Sequence, residues 1–307
     1  MPHDAPATPP GAILLATDLS ARCDRALARA LQLARQWNAR LVVATVLPPR
    51  PVPPTAAGLP ESSDPLAREH ARQSVEWRLR RDLGDEADGV ALDIHVGEGH
   101  VGRAVLQLAH ETGCGLIVTG VASDPLFELP ALGSTVLWLT RHSPLPLLVV
   151  HRRPRGPYRH LAVATDFSDS AHHATLRALA LFGPPLKLQL VHALAVPGSA
   201  LLGGDRTQAL AQARRHADGR ARDAQAALAG QLAPGQVQAV IADGDPVRLL
   251  RQHAGTDDPD LVVVGTHGRG ALFELLIGSV ARRLVAQLET DTLLVRDQRA
   301  LPPEPVA

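Results

Sequence analysis

Short apolar runs recur along the chain, each separated from the next by a longer stretch in which Ala and Leu return at helical spacing. The second half shows this most plainly. Leu161–Thr165 is an apolar run suited to a buried strand, and Ser168 is placed to cap a helix that continues to Phe182, where Gly183-Pro184-Pro185 ends it. Leu188–Leu194 predicts a second strand. Residues 205–231 predict a long Ala/Gln/Arg helix, stopped by Pro234-Gly235. Gln236–Ala242 predicts a third strand, and Pro246–His253 a short helix capped by Asp245. Leu261–Val264 is the fourth strand, 265–277 a loop, Ser279–Leu288 a helix and Thr292–Val295 the fifth strand. The first half follows the same plan and closes on Pro146–Val150. Short, wholly apolar strands alternating with helices predict a parallel sheet covered on both faces, a doubly wound α/β fold. Such sheets take ligands beyond the carboxyl ends of their strands, where Asp166 and the loop after Val264 fall.

The plan repeats because the sequence repeats. AILLATDLS at 12–20 answers HLAVATDFS at 160–168, so that Asp18 and Asp166 stand 148 apart. Leu41 and Leu188, which open the second strands, are 147 apart. Gly97 pairs with Gly244 at a spacing of 147, and Gly120 with Gly265 at 145. Order and spacing are kept together, which identifies two tandem copies of a domain-sized unit. Between them, the stretch from His151 to Tyr158 is polar, charged and broken by Pro154 and Pro157, and reads as a linker. The helix over Leu66–Leu83 carries Trp77 among arginines and glutamates, and its apolar stripe is expected to face the core or the seam between the units.

Composition removes several classes of function. Across 307 residues, 31 basic side chains balance 31 acidic ones, which argues against a polybasic nucleic-acid binder. Aromatic residues at 3% disfavour a stacking platform for single strands. No apolar run is long enough to span a membrane, and the start of the chain lacks the basic and apolar regions of a secretory signal. Cys23 and Cys114 stand alone, giving neither a disulfide framework nor a metal motif, so a cytoplasmic setting is expected. The single lysine, Lys187, lies in no P-loop pattern. The 14 histidines show no zinc-binding spacing, and His267 has no triad or carboxylate pair around it in the sequence.

The informative motif is GTHGRGALFELLIGSV at 265–280. Gly265 is read as a tight turn off its strand, and Gly268 and Gly270 as positions where main-chain N–H groups approach an anion closely. Gly278-Ser279 opens a helix whose first-turn amides and dipole favour negative charge. Arg269 adds a guanidinium able to grip phosphate with two hydrogen bonds.

This string, with Gly265-x2-Gly268-x9-Gly278-Ser279, resembles the ATP-binding pattern of the universal stress protein family. Ala164-Thr165-Asp166, Val191-His192-Ala193 and the closing Thr292–Arg296 extend the resemblance, which covers nearly the whole chain as two domains, 11–151 and 158–297. The resemblance implies two tandem Rossmann-like domains, each with a five-stranded parallel sheet, paired with each other through their last strands, and a possible homodimer. It also implies that Thr165 and Asp166, beside Ala164, meet the adenosine of ATP and that the backbone at Ala193 contacts adenine. Gly265, Gly268, Arg269, Gly278, Ser279 and Val280 would then hold ribose and phosphates, with Mg2+ present only as the companion of those phosphates.

The first unit keeps the spacing and changes the chemistry. Gly268 is answered by Ser123 and Arg269 by Asp124, with Pro125 and Glu128 further altering the loop. A carboxylate facing a polyanion repels it, and a shift of about 1.4 kcal/mol is tenfold in affinity. The expected reading is a stress-response module with ATP in its C-terminal half and a weak or absent site in its N-terminal half. A slow Mg-dependent ATP hydrolase and a nucleotide-free partner-binding protein are the other readings. Asp18 and Asp166 also suit a plainer role, capping the turns after their strands.

Overall fold

The computed structural model describes residues 8–47, 65–121, 133–194, 206–266 and 279–296. In the N-terminal half β1 (Ala12–Ala16) leads through α1 (Asp24–Trp37) to β2 (Arg40–Leu47), then α2 (Pro65–Leu83), β3 (Leu92–Glu98), α3 (Val101–Glu111), β4 (Ile117–Gly120), α4 (Ser134–His142) and β5 (Leu147–Val150). The C-terminal half repeats the order with β6 (His160–Ala164), α5 (Asp169–Phe182), β7 (Lys187–Leu194), α6 (Arg206–Leu228), β8 (Val237–Asp243), α7 (Pro246–Thr256), β9 (Leu261–Gly265), α8 (Ser279–Gln287) and β10 (Asp291–Val295). The caps fall where local chemistry predicts them. Ser168 Oγ accepts from the Ala171 N–H, and Asp245 Oδ1 accepts from the N–H groups of Val247 and Arg248.

Each half is a five-stranded parallel sheet, and the two fuse into one ten-stranded sheet in the order β3-β2-β1-β4-β5-β10-β9-β6-β7-β8. The fusion is antiparallel, with Thr292 opposite Val149 and Leu294 opposite Leu147. The expected pairing of the halves through their last strands is therefore present within one chain. Two cores run along the two faces, and each draws on both halves. Ile13, Leu41, Leu161 and Leu293 belong to one, and Leu14, Val42, Val262 and Leu294 to the other. Strand alternation sends neighbouring residues to opposite faces, which is why unbroken apolar runs suit this sheet.

Two readings change, and the α2 stripe takes the first of its two expected places, the core. Gly99 (φ 97), not Gly97, is the counterpart of Gly244 (φ 133), because each ends its strand in left-handed backbone just before a helix cap. Trp77 is 62% exposed under the guanidinium of Arg81, while Leu79 and Leu83 carry the buried stripe of α2. The helix packs on β3 at the sheet edge, away from the seam. Finally, the linker is an anchored strap. The N–H groups of His151 and Arg152 donate to Asp291 Oδ1 at 2.8 and 2.9 Å, and Tyr158 donates its hydroxyl to Asp291 Oδ2 at 2.7 Å.

Candidate functional site

In the C-terminal half three strands end side by side, Ala164 being in register with Val191 and Val264. Below this level the strands are sealed, with Val163 and Val263 fully buried. Above it Thr165, Asp166, His192, Ala193 and Gly265 are all partly exposed, as is Ala164 itself, so the carboxyl ends of β6, β7 and β9 form an open rim.

The turn leaving β6 is held by its own side chains. Thr165 N–H donates to Val191 O at 3.0 Å, Thr165 Oγ1 accepts from Phe167 N–H at 2.8 Å, and Asp166 Oδ1 accepts from Ser168 N–H at 3.0 Å. These bonds keep Phe167 at φ 56, a conformation that costs a bulky residue about 1–2 kcal/mol. The N-terminal half repeats the device. Thr17 Oγ1 accepts from Leu19 N–H, Asp18 Oδ1 accepts from Ser20 N–H, and Leu19 sits at φ 62. The turn-capping role is thus real for both aspartates. Strain kept at the same place in both halves is a mark of sites whose geometry matters.

Sequence reasoning missed the brace around this turn. His192 Nδ1 lies 2.8 Å from Thr165 O, so that nitrogen carries the proton and donates it. Its ring packs on Phe167 with centroids 4.8 Å apart. Arg220, from the middle of α6, places its guanidinium 5.5 Å from the Phe167 ring centroid and donates to Phe167 O. The matching positions of the N-terminal half are Leu19, Thr45 and Val75, which cannot build the same brace. His192 stood inside a recognised motif, but nothing in an arginine-rich helix singled out Arg220.

At Gly265 the structure shows a close approach, while the tight turn expected there continues into residues outside the described ones. Its φ is not positive, but a Cβ there would lie 3.1 Å from Ser170 Oγ and 3.3 Å from Ser170 O, so a side chain would press on α5 and Ser170 would have to give by a few tenths of an ångström. The next residue, Thr266, donates its N–H to Val295 O at 3.0 Å and ties the start of the glycine string to β10. Ser279 starts α8 and Val280 is exposed in its first turn. His267, Gly268, Arg269, Gly270 and Gly278 lie outside the described residues, as does the side chain of Ser279.

Behind the rim, Asp245 closes α7 onto α8 through a two-pronged pair with Arg283 at 2.8 and 3.1 Å. The Arg283 guanidinium, followed by the Arg248 N–H, holds the Asp245 carboxyl below its ordinary range. In the other half His100 caps α3, and Trp138, in the place of Arg283, packs against it with ring centroids 5.1 Å apart. At the N-terminal rim Cys23 Sγ lies 3.1 Å from Asp18 Oδ1. Burial alone would raise the Asp18 carboxyl, but hydrogen bonds from Ser20 and Cys23 outweigh it and leave the group below its ordinary value. Ser123, Asp124, Pro125 and Glu128 lie outside the described residues. Among the described residues no helix is long and apolar enough to cross a membrane.

Known proteins share this architecture. A universal stress protein of Thermus aquaticus is 38% identical over 58 residues, 19% of this chain and 42% of that one. A universal stress protein of Bacillus subtilis is 35% identical over 60 residues, 20% of this chain and 40% of its own length, so each match spans well under half of the relative. The crystal structure of a universal stress protein from Archaeoglobus fulgidus superposes with a TM-score of 0.65 at 16% identity, covering 93% of this chain and 98% of that one, a likeness of fold. The universal stress protein family model matches twice, over residues 11–151 and 157–296. With a doubled α/β unit and both halves matched, the chain belongs to the universal stress protein family.

Proposed function

We propose that the chain is a stress-response module that binds an adenine nucleotide, ATP, at the carboxyl rim of its C-terminal half. The observation that carries this reading is the meeting of two features on one rim. One is the strained, braced Thr165-Asp166-Phe167 turn, and the other is Gly265, the root of the glycine string. In this reading Ala164, Thr165 and Asp166 face the adenosine, and the backbone of Ala193 meets the base. Gly265, Gly268, Arg269, Gly278, Ser279 and Val280 hold ribose and phosphates. The first-turn amides of α8 suit an anion on general grounds. Bound Mg2+ would neutralise part of the phosphate charge.

The N-terminal half keeps the turn but lacks the brace, and its loop carries Asp124 where the other carries Arg269. It is therefore the weaker or empty partner. Calorimetric titration with ATP is expected to give about one site per chain, and mass spectrometry of ligand released from freshly purified protein is expected to find an adenine nucleotide. Two equal sites would remove the asymmetry. No adenylate bound or retained under any condition would remove the function.

A further inference from the structure

The two halves exchange arginines at their seam. Each last strand is followed by a residue that reaches a helix end in the opposite half. Past β5, Arg152 Nε donates to Glu289 O at 3.0 Å, just beyond α8, and its guanidinium pairs with Asp258 beside α7. Past β10, Arg296 donates to Arg141 O in the last turn of α4. The two contacts differ in burial. Arg152 is partly exposed, whereas Arg296 is buried. A cation at the carboxyl end of a helix meets its unsatisfied carbonyls and the negative end of its dipole.

Arg296 stands one residue beyond Val295, whose carbonyl receives the Thr266 N–H at the root of the glycine string. The end of β10 and the residue after it therefore touch both Thr266 of the C-terminal half and the last turn of α4 in the N-terminal half. The first turn of α4, opening at Gly133-Ser134, is the place that corresponds to Ser279. The sheet holds this segment from both sides, since Val295 is also paired with Gly265 and Leu294 with Leu147.

We infer that Arg296 is a cross-domain positioning residue: it fixes the Thr266–Val295 junction at the C-terminal rim against the N-terminal half and carries nucleotide occupancy of that rim to α4. The inference rests on nucleotide binding at the C-terminal rim and adds to it a residue and a direction of coupling. Because one anchor serves both places, a ligand that stiffens the junction also stiffens the last turn of α4. By linkage, loss of the anchor weakens the ligand.

The test uses the full chain with ATP. Hydrogen exchange in the wild type is expected to slow at the amides of the last turn of α4 when ATP is added, and not in α2 at the far edge of the sheet. Arg296→Gln is expected to lower ATP affinity about five- to tenfold, in line with the loss of a partly buried cation at a helix end. It is also expected to abolish the protection at α4. Arg296→Lys, which keeps the charge, is expected to restore most of both. A variant that merely loosened the fold would not show rescue of a ligand-dependent signal. Unchanged α4 exchange in a wild type that binds ATP would overturn the coupling while leaving the binding reading intact. So would wild-type affinity in Arg296→Gln. A wild type that binds no ATP would sink the nucleotide reading, and this inference with it.

Discussion

Arg29 of α1 lies 3.4 Å from Asp291 of β10, so the two halves share an ion pair whose side chains are 5% and 1% exposed. Asp291 also receives the His151 and Arg152 N–H groups and the Tyr158 hydroxyl, and the Arg29 guanidinium lies 4.1 Å from the Tyr158 ring centroid. One carboxylate thus gathers the strap, the first helix and the last strand. Burial, first, and then the negative charge of Asp291 push the Tyr158 hydroxyl well above its ordinary pKa, so it stays a donor. Removing one member of such a set leaves charge buried without compensation. Asp291→Ala is expected to cost about 3–5 kcal/mol, measured as a lower urea midpoint.

His151, next to this network, gives the seam a pH response. Burial, partly offset by Asp291, lowers its pKa to about 4 from an ordinary 6.5. The unfolded chain therefore takes up a proton before the folded one does. The stability this group contributes is fully present above pH 6.5 and is lost as pH falls toward about 4, by at most about 3 kcal/mol. Melting temperatures measured across that window are expected to fall less steeply in His151→Asn than in the wild type.

The two turns offer a matched comparison. Thr165→Val and Thr17→Val each remove the acceptor that holds a strained residue, and each is expected to cost about 1 kcal/mol of stability. Only Thr165→Val is expected also to weaken ATP, because only that turn borders the proposed site. Paired thermal melts and titrations separate the two effects, and equal loss of affinity in both variants would contradict the asymmetry.

Gly102 lies under Trp138. A Cβ there would stand 2.5 Å from the Trp138 ring, which is itself stacked on His142 with centroids 4.1 Å apart. Gly102→Ala is expected to cost about 1–3 kcal/mol by overpacking and to shift tryptophan fluorescence. Adding Trp138→Leu is expected to return part of the lost stability.

Much of this was legible from residue order. Strands such as Leu161–Thr165 and caps such as Ser168 and Asp245 depend on neighbours along the chain, and they fall where local chemistry predicts. The doubling was legible because landmarks such as Asp18 and Asp166, Leu41 and Leu188, and Gly120 and Gly265 kept their order and nearly their spacing. What escaped depends on residues far apart. Arg29 and Asp291 look ordinary in their own segments and gain meaning only when β5 and β10 meet. The His151–Tyr158 stretch has the composition of a linker, but its N–H groups find a carboxylate some 140 positions away. Gly97 and Gly99 could be told apart only by φ, and the close approach at Gly265 showed only once Ser170 was beside it.

The opposed course of β5 and β10 has a geometric outcome for anything that recognises the whole protein. The rims of the two halves look out from opposite poles of a single slab. A body resting on one pole meets the loop face of one half together with the helix tails of its twin, and never two loop faces at once. Doubling the unit has therefore produced a molecule whose two ends share one layout, so that they differ only in the side chains each half places there.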